Sequence, residues 1–242
     1  MKLHRFFIPP QFISGRYARI PDPDLAKQIG RVLRLSPGDM LILLDGDGFE
    51  YTARLEKVSA REVHVEIMKR QWNDKEPELK IALYQSLIKK DKIEWVFEKC
   101  TEVGVTNFHP VLSERSEKLR FNVLRAEKVV KEAAEQSERG IKPEILEIEE
   151  FGRALRRGAA SEAMILILHP EGSSLERVTF PKKLLAVNIF VGPEGGFSDA
   201  EIDLARELIK NGAPISIVSL GPRILRAETA GLVASAILLN RN

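Results

Sequence analysis

The stretch "VGPEGGFS", Val191–Ser198, separates two segments of opposite character. Before it runs "LLAVNIF", Leu184–Phe190, apolar and β-branched, which reads as a buried strand. After it runs "SDAEIDLARELIKNG", which reads as a helix: Ser198 and Glu201 form an S-x-x-E capping box, and Gly212 closes the end. The junction is therefore a crossover loop at the carboxyl end of a strand, the place where open α/β sheets bind ligands. Glycines there permit positive φ and let a ligand come close to backbone N–H groups. The pattern is neither G-x-G-x-x-G nor G-x-x-x-x-G-K-S/T, so both usual nucleotide fingerprints are missing. Three glycines and a proline exceed the needs of a tight turn and favour a ligand loop.

Two more strand ends share this build. "ISIVSL" runs into "GPRILRAETAGL", where Gly221 and Pro222 turn the chain, Arg223 and Arg226 follow, and Glu228 and Thr229 open the last helix. "AMILIL", Ala163–Leu168, ends at "HPEG". If the three strands are neighbours in the sheet, their loops form one pocket.

Outward from these loops, the chain from Lys80 alternates strand and helix. "KIALYQ", "TNFHPV", "EILEIE", "AMILIL", "LAVNIFV" and "ISIVSL" read as strands. "DKIEWVFEKCTEVG", "NVLRAEKVVKEAAEQSERG", "EFGRALRRG" and "ETAGLVASAILLN" read as helices, the first stopped by Gly104 and the second by Gly140. Such alternation predicts an α/β domain with a mainly parallel sheet. The first seventy residues read as β-structure. "MLILLDGDGFEYTARLEKV" is a hairpin around "DGDG", "EVHVEIM" alternates with Val63, Val65 and Ile67 on one face, and only "DPDLAKQIGRVLRL" suggests a short helix. The polar, aperiodic "KRQWNDKEPELK" reads as a linker. The expected domains are 1–70, a linker over 71–79, and 80–242.

Composition narrows the function. The 242 residues are 44% hydrophobic, but the apolar runs are too short to span a bilayer. "MKLHRFFIPP" has no apolar core of a signal peptide, and the single cysteine, Cys100, fits a reducing compartment; a cytoplasmic location is expected. Cys100 lies on an apolar helix face and reads as core. One cysteine and four scattered histidines give no metal-ligand spacing. The net charge is +2, yet residues 1–36 hold seven Lys and Arg against two acids, a local +5 that is compatible with a polyanion partner or with an ordinary basic face.

"VGPEGGFSDAEI" together with "SLGPRILRAETA" resembles the RsmE-type 16S rRNA uridine-N3 methyltransferases of the SPOUT superfamily. "EKCTEVGV", "HPVLSERS", "EAAEQSER" and "VLRLSPGD" extend the likeness over nearly the whole chain. The resemblance implies a C-terminal α/β methyltransferase domain threaded into a trefoil knot, preceded by a small PUA-like β-barrel that holds rRNA. It implies S-adenosylmethionine as cofactor, bound by Leu168, His169, Gly192, Pro193, Glu194, Gly195, Gly196, Leu220, Gly221, Ile224, Leu225, Thr229 and Ala230. It implies a homodimer acting on 16S rRNA of the small ribosomal subunit, with no membrane and no metal. Uridine N3 is an imide nitrogen, and removing its proton pushes charge onto the neighbouring carbonyls, where an arginine would act as an oxyanion hole does. Arg226 and Glu228 are the expected catalytic residues; an ion pair between them is the plainer reading of Arg226. Arg5, Arg19, Arg31, Arg34, Arg115, Lys118 and Arg139 are the expected RNA contacts, and Arg120 accompanies them as a basic side chain of the same stretch; a solvated polar surface is the alternative. The competing functions are a SPOUT ribose-2′-O methyltransferase and a non-catalytic rRNA-binding assembly factor.

Overall fold

The computed structural model describes residues 3–116 and 121–241. The chain forms two compact units, residues 1–76 with 134–142, and residues 77–133 with 143–242.

The first unit is built on a six-stranded sheet. Its strands are β1 (Arg5–Phe7), β2 (Ile13–Ser14), β3 (Tyr17–Ile20), β4 (Met40–Leu44), β5 (Phe49–Val58) and β6 (Val63–Trp72), in the order β1-β4-β5-β6-β3-β2. All neighbours are antiparallel except β1 and β4. The "DGDG" turn forms because Gly46 and Gly48 take φ of +84° and +101°, while Asp45 Oδ1 accepts from Asp47 N and Phe49 N at 2.9 and 3.1 Å. Val63 and Val65 are buried with Phe6, Ile20, Leu41, Leu43 and Leu55 in this unit's core. Glu66, on the polar side of β6, is also buried and is neutralised by Arg16 at 2.6 Å and by Arg54.

The short helix is present as α1 (Pro23–Lys27), capped by Asp22, whose carboxylate accepts from Asp24 N and Leu25 N. It widens into a π turn over Gln28–Val32 and leaves through Arg34 at φ +57°. Strand β6 runs to Trp72, and Asn73 is buried, donating to Glu50 and to the Glu138 carbonyl. Residues 71–73 are therefore built into the first unit, which moves the start of the expected linker.

The second unit holds a parallel sheet. Its strands are β7 (Lys80–Ser86), β8 (Asn107–Leu112), β9 (Glu144–Ile145), β10 (Glu149–Glu150), β11 (Met164–Ser174), β12 (Ala186–Val191) and β13 (Ile215–Ser219). The order is β10-β8-β7-β12-β11-β13, with β9 also on β8. "EILEIE" is thus two short strands, not one. The helices are α2 (Lys90–Val103), α3 (Val123–Gln136), α4 (Phe151–Ala159), α5 (Asp199–Lys210) and α6 (Ala227–Leu239).

Successive side chains of the central strands go to opposite layers. Ile81, Leu83, Leu166, Val187 and Ile189 join Val96 and Phe97 of α2 and Ala234 and Leu238 of α6. Tyr84, Ile165, Ile167 and Phe190 join Phe151 and Leu155 of α4 and Ile202 of α5. Burial on both faces explains the nearly unbroken apolar runs. Cys100 lies fully within the first layer, where burial pushes its thiol up, so it is core. Gly104 ends α2 in the left-handed region, at φ +111°. Helix α3 stops at Gln136, four residues before Gly140, because the chain turns away through Glu138 at φ +67°. Among the described residues no helix is long and apolar enough to cross a membrane, and no cluster of His, Cys, Asp and Glu is placed to hold a metal.

Arg139, expected on an RNA face, is instead 4% exposed and donates to Glu76 at 2.7 and 3.2 Å. Glu76 also accepts from Ile141 N at 3.2 Å. Truncating one member of such a buried pair strands the other charge, so Arg139→Met is expected to lower the unfolding free energy by about 3–5 kcal/mol. Urea denaturation measures this, with Arg139→Met/Glu76→Met recovering part of the loss; a single-variant loss below about 1 kcal/mol would contradict a structural role.

Candidate active site

Strands β12, β11 and β13 are adjacent and parallel, with Leu166 opposite Ile189 on one side and Ser216 on the other. The carboxyl ends of β12 and β13 and a segment within β11 meet at one cavity of about 650 Å³. This is the size of a pocket for a drug-sized ligand.

The loop after β12 supplies Gly192–Phe197 to the wall. Gly196 takes φ of +68° and its N–H donates to the Pro193 carbonyl at 2.9 Å, closing a turn. Gly192 is packed closely, since a Cβ there would sit 3.1 Å from Phe197 N. Gly195 needs no positive φ; a Cβ there would touch only the Arg115 side chain, at 3.4 Å. The capping box is present: Ser198 Oγ accepts from Glu201 N, and Glu201 Oε2 accepts from Ser198 N at 2.8 Å. Its second oxygen accepts from Glu114 N at 3.0 Å, which docks the "SERS" segment on α5.

The loop after β13 supplies Leu220 and Arg223–Ala227. Gly221 turns the chain at φ +119°, held by Ser219 Oγ, which donates to the Gly221 carbonyl at 3.0 Å. Arg226 occupies the cap position of α6, its carbonyl accepting from Thr229 N and Ala230 N at 2.9 Å. Its guanidinium is 80% exposed at the rim.

The third wall is a bulge. β11 does not end at Leu168: both Leu168 and Ser173 pair with Val218, so His169–Gly172 are looped out between them. Leu168, His169, Pro170 and Glu171 line the cavity, and Glu171 N donates to His169 Nδ1 at 3.2 Å. Gly172 is required, because a Cβ would lie 2.6 Å from the backbone of Val218.

Of the expected cofactor residues, Leu168, His169, Gly192, Pro193, Glu194, Gly195, Gly196, Leu220, Ile224, Leu225 and Ala230 line the cavity. Gly221 and Thr229 shape the turn and the helix head without lining it. Glu228 does not line it either. Its side chain is 14% exposed, Oε2 is buried with no hydrogen-bond partner among the described residues, and Oε1 faces Lys92 Nζ at 3.6 Å and Arg226 Nη1 at 3.9 Å. Glu228 thus neighbours the cavity through Lys92 and Arg226, both of which line it. Lys92, absent from the sequence reading, lines the cavity and reaches Glu194 Oε1 at 3.2 Å. The Glu194 hydrogen bond, with help from Glu228 and against partial desolvation, raises its pKa above the ordinary lysine value.

The expected RNA contacts separate. Arg115 lines the cavity, donating to the carbonyls of Gly195 at 3.0 Å and Phe197 at 3.3 Å, so it holds the loop. Arg5 is half-buried and pairs with Glu138 at 3.2 Å, and Arg19 is exposed but paired with Glu62 at 2.8 Å. Arg31 and Arg34 are exposed. Lys118 and Arg120 lie outside the described residues.

Residues 75–239 match the family described as RNA methyltransferase domain, and residues 22–68 the family described as RNA methyltransferase PUA domain. The fold and its cleft thus define a methyltransferase class directed at RNA. Ribosomal RNA small subunit methyltransferase E of Bacillus subtilis (strain 168) is 34% identical over 221 residues, covering 85% of this chain and 83% of the relative. The Synechocystis sp. (strain PCC 6803) protein of that name is 35% identical over 241 residues, covering 96% and 76%. A crystal structure of the Neisseria gonorrhoeae enzyme of that name, bound to S-adenosyl methionine, superposes with a TM-score of 0.87 at 33% identity, covering 98% of this chain and 97% of that one. The chain belongs to the ribosomal RNA small subunit methyltransferase E (RsmE) family.

The glycines make distinct demands. Gly172→Ala forces a Cβ against backbone that cannot yield and is expected to cost about 1–3 kcal/mol. Gly195→Ala meets ordinary contact and should stay within about 0.5 kcal/mol of the parent. Urea unfolding of both variants tests this, and equal losses would contradict the reading.

Proposed function

We propose that this protein transfers the methyl group of S-adenosylmethionine to N3 of one uridine in 16S rRNA of the small ribosomal subunit, in the cytoplasm. The observation that carries the reading is the meeting of three glycine- and proline-containing loops, from three adjacent parallel strands, around one cavity. Family membership and a relative bound to S-adenosyl methionine support it.

The lining suits that cofactor. Leu168, Val218, Leu220, Leu225 and Ala230 offer apolar surface for adenine, and Gly192, Gly195 and Gly196 bring bare backbone to the wall. When bound, S-adenosylmethionine supplies an electrophilic methyl on a sulfonium. The remaining work belongs to the chain. In-line displacement depends on position, so the loops' rigidity supplies much of the rate. Arg226 stands at the rim with its guanidinium open to solvent and to substrate. Its role is to stabilise the negative charge that spreads over the uracil carbonyls when N3 loses its proton. Glu228, 3.9 Å away, offsets the guanidinium charge without fixing it in place.

The N-terminal unit would hold the RNA. The local excess of +5 in residues 1–36 and the exposed Arg31 and Arg34 support this, since phosphate contacts position RNA without reading sequence. We further propose a trefoil knot, because the chain leaves the edge strand β13 and returns to pack α6 on α2, β7 and β12. A homodimer belongs to the same reading: α6 is apolar over most of its surface, with Ile237 48% exposed.

The test is methylation of unmethylated small subunits with tritiated S-adenosylmethionine, followed by nucleoside analysis. The expected product is 3-methyluridine; 2′-O-methyluridine, or binding without transfer, would replace the proposal. Arg226→Ala should lower the single-turnover rate at saturating cofactor and subunit by roughly 100-fold. Lysine should rescue poorly because it has no planar fork. A near-wild-type rate would remove Arg226 from the chemistry.

A further inference from the structure

Lys92 joins three elements that are far apart in the chain. It stands in the first turn of α2, 26% exposed, with Nζ 3.2 Å from Glu194 Oε1 in the loop after β12 and 3.6 Å from Glu228 Oε1 in the first turn of α6. Resting on the function proposed above, we propose that Lys92 is a positioning residue: it fixes the cofactor loop Gly192–Phe197 to the head of the last helix and thereby sets cofactor affinity.

The loop has little to hold it from within. Its backbone makes one internal turn, from Gly196 N to the Pro193 carbonyl, and two of its carbonyls are taken by Arg115. The Glu194 side chain is tied by Lys92. The same ammonium faces Glu228, whose second carboxylate oxygen is buried with no hydrogen-bond partner among the described residues. Among the described residues, the Glu228 charge without Lys92 would be faced by Arg226 alone, 3.9 Å away and largely in solvent. Two loops would then lose their common anchor at once. Two carboxylates also hold Lys92 in its charged form, so it serves as a fixed point charge and not as a proton acceptor.

The experiment uses the full-length protein and two ligands that require no turnover. S-adenosylhomocysteine carries the amino-acid tail of the cofactor; 5′-methylthioadenosine lacks it. Calorimetry on Lys92→Met should show both bound about tenfold more weakly, the scale of one lost charge-assisted contact. Single-turnover rates at limiting cofactor should fall in step with the affinity, and raising the cofactor concentration should recover most of that loss. Lys92→Arg should bind within about threefold of wild type, since it keeps the charge and the reach. Glu194→Gln should weaken binding, and Lys92→Met/Glu194→Gln should be no weaker than Lys92→Met, because the two residues act as one unit.

Wild-type affinity in folded Lys92→Met would overturn the proposal. A loss confined to S-adenosylhomocysteine would also overturn it, by making Lys92 a direct partner of the amino-acid carboxylate. A fall in rate with unchanged affinity would place Lys92 in the chemistry instead. If Lys92→Met fails to fold, Lys92→Gln, which also removes the charge, carries the same decision. Wild-type protein that bound neither compound would overturn the proposed function itself, a result distinct from any that concerns Lys92 alone.

Discussion

Strand β11 lies between β12 and β13, parallel to both, and the close approach of its backbone to that of β13 governs the whole site. Parallel pairing brings three carboxyl ends to one edge of the sheet, which is where α/β folds leave a crevice. Val218 pairs with both Leu168 and Ser173, and Gly172 passes so close to the Val218 backbone that it has no room for a side chain. The four residues His169–Gly172 must therefore loop out, and they become one wall of the cavity. The other two walls are the turns after β12 and β13, where Gly196 and Gly221 adopt backbone conformations that other residues rarely take. A cavity of about 650 Å³ thus follows from strand adjacency and three tight turns, not from large side chains.

Charge is arranged around this apolar slot in a consistent way. Lys92 and Arg115 come from outside the glycine loops and hold them, one through carboxylates and one through carbonyls. Arg226 is held only loosely by Glu228 and keeps its guanidinium in the open. Cations that brace the scaffold are paired at short distance, while the cation assigned to the substrate is not. The first unit shows the same division: Arg139 and Arg5 are committed to Glu76 and Glu138, whereas Arg31 and Arg34 remain on the surface.

Much of this was legible in the sequence where local chemistry decides the outcome. The "DGDG" hairpin, the Ser198–Glu201 capping box, the stop at Gly104 and the alternation of strand and helix all depend on residues close in the chain. The glycine loops were legible too, because three glycines beside a proline have few other uses. What escaped depends on partners distant in sequence. Lys92 looks like any charged residue at a helix start until the sheet brings Glu194 and Glu228 to it. Arg115 and Arg139 have the composition of an RNA face, yet one reaches across 80 residues to Gly195 and the other across 63 to Glu76. The bulge at His169–Gly172 was hidden because a break in register leaves no mark on hydrophobic periodicity. Helix α3 ends early for a related reason: Glu138 takes a positive φ that its residue type does not announce.

The central claim is that three loops, widely separated in the chain, form one cofactor site. Hydrogen–deuterium exchange of the full-length protein, with and without S-adenosylhomocysteine, tests it directly. The account predicts slowed exchange together in residues 168–173, 192–198 and 220–230, because each segment contributes backbone to the same wall. Protection confined to one of these segments, or appearing only elsewhere in the chain, would contradict it.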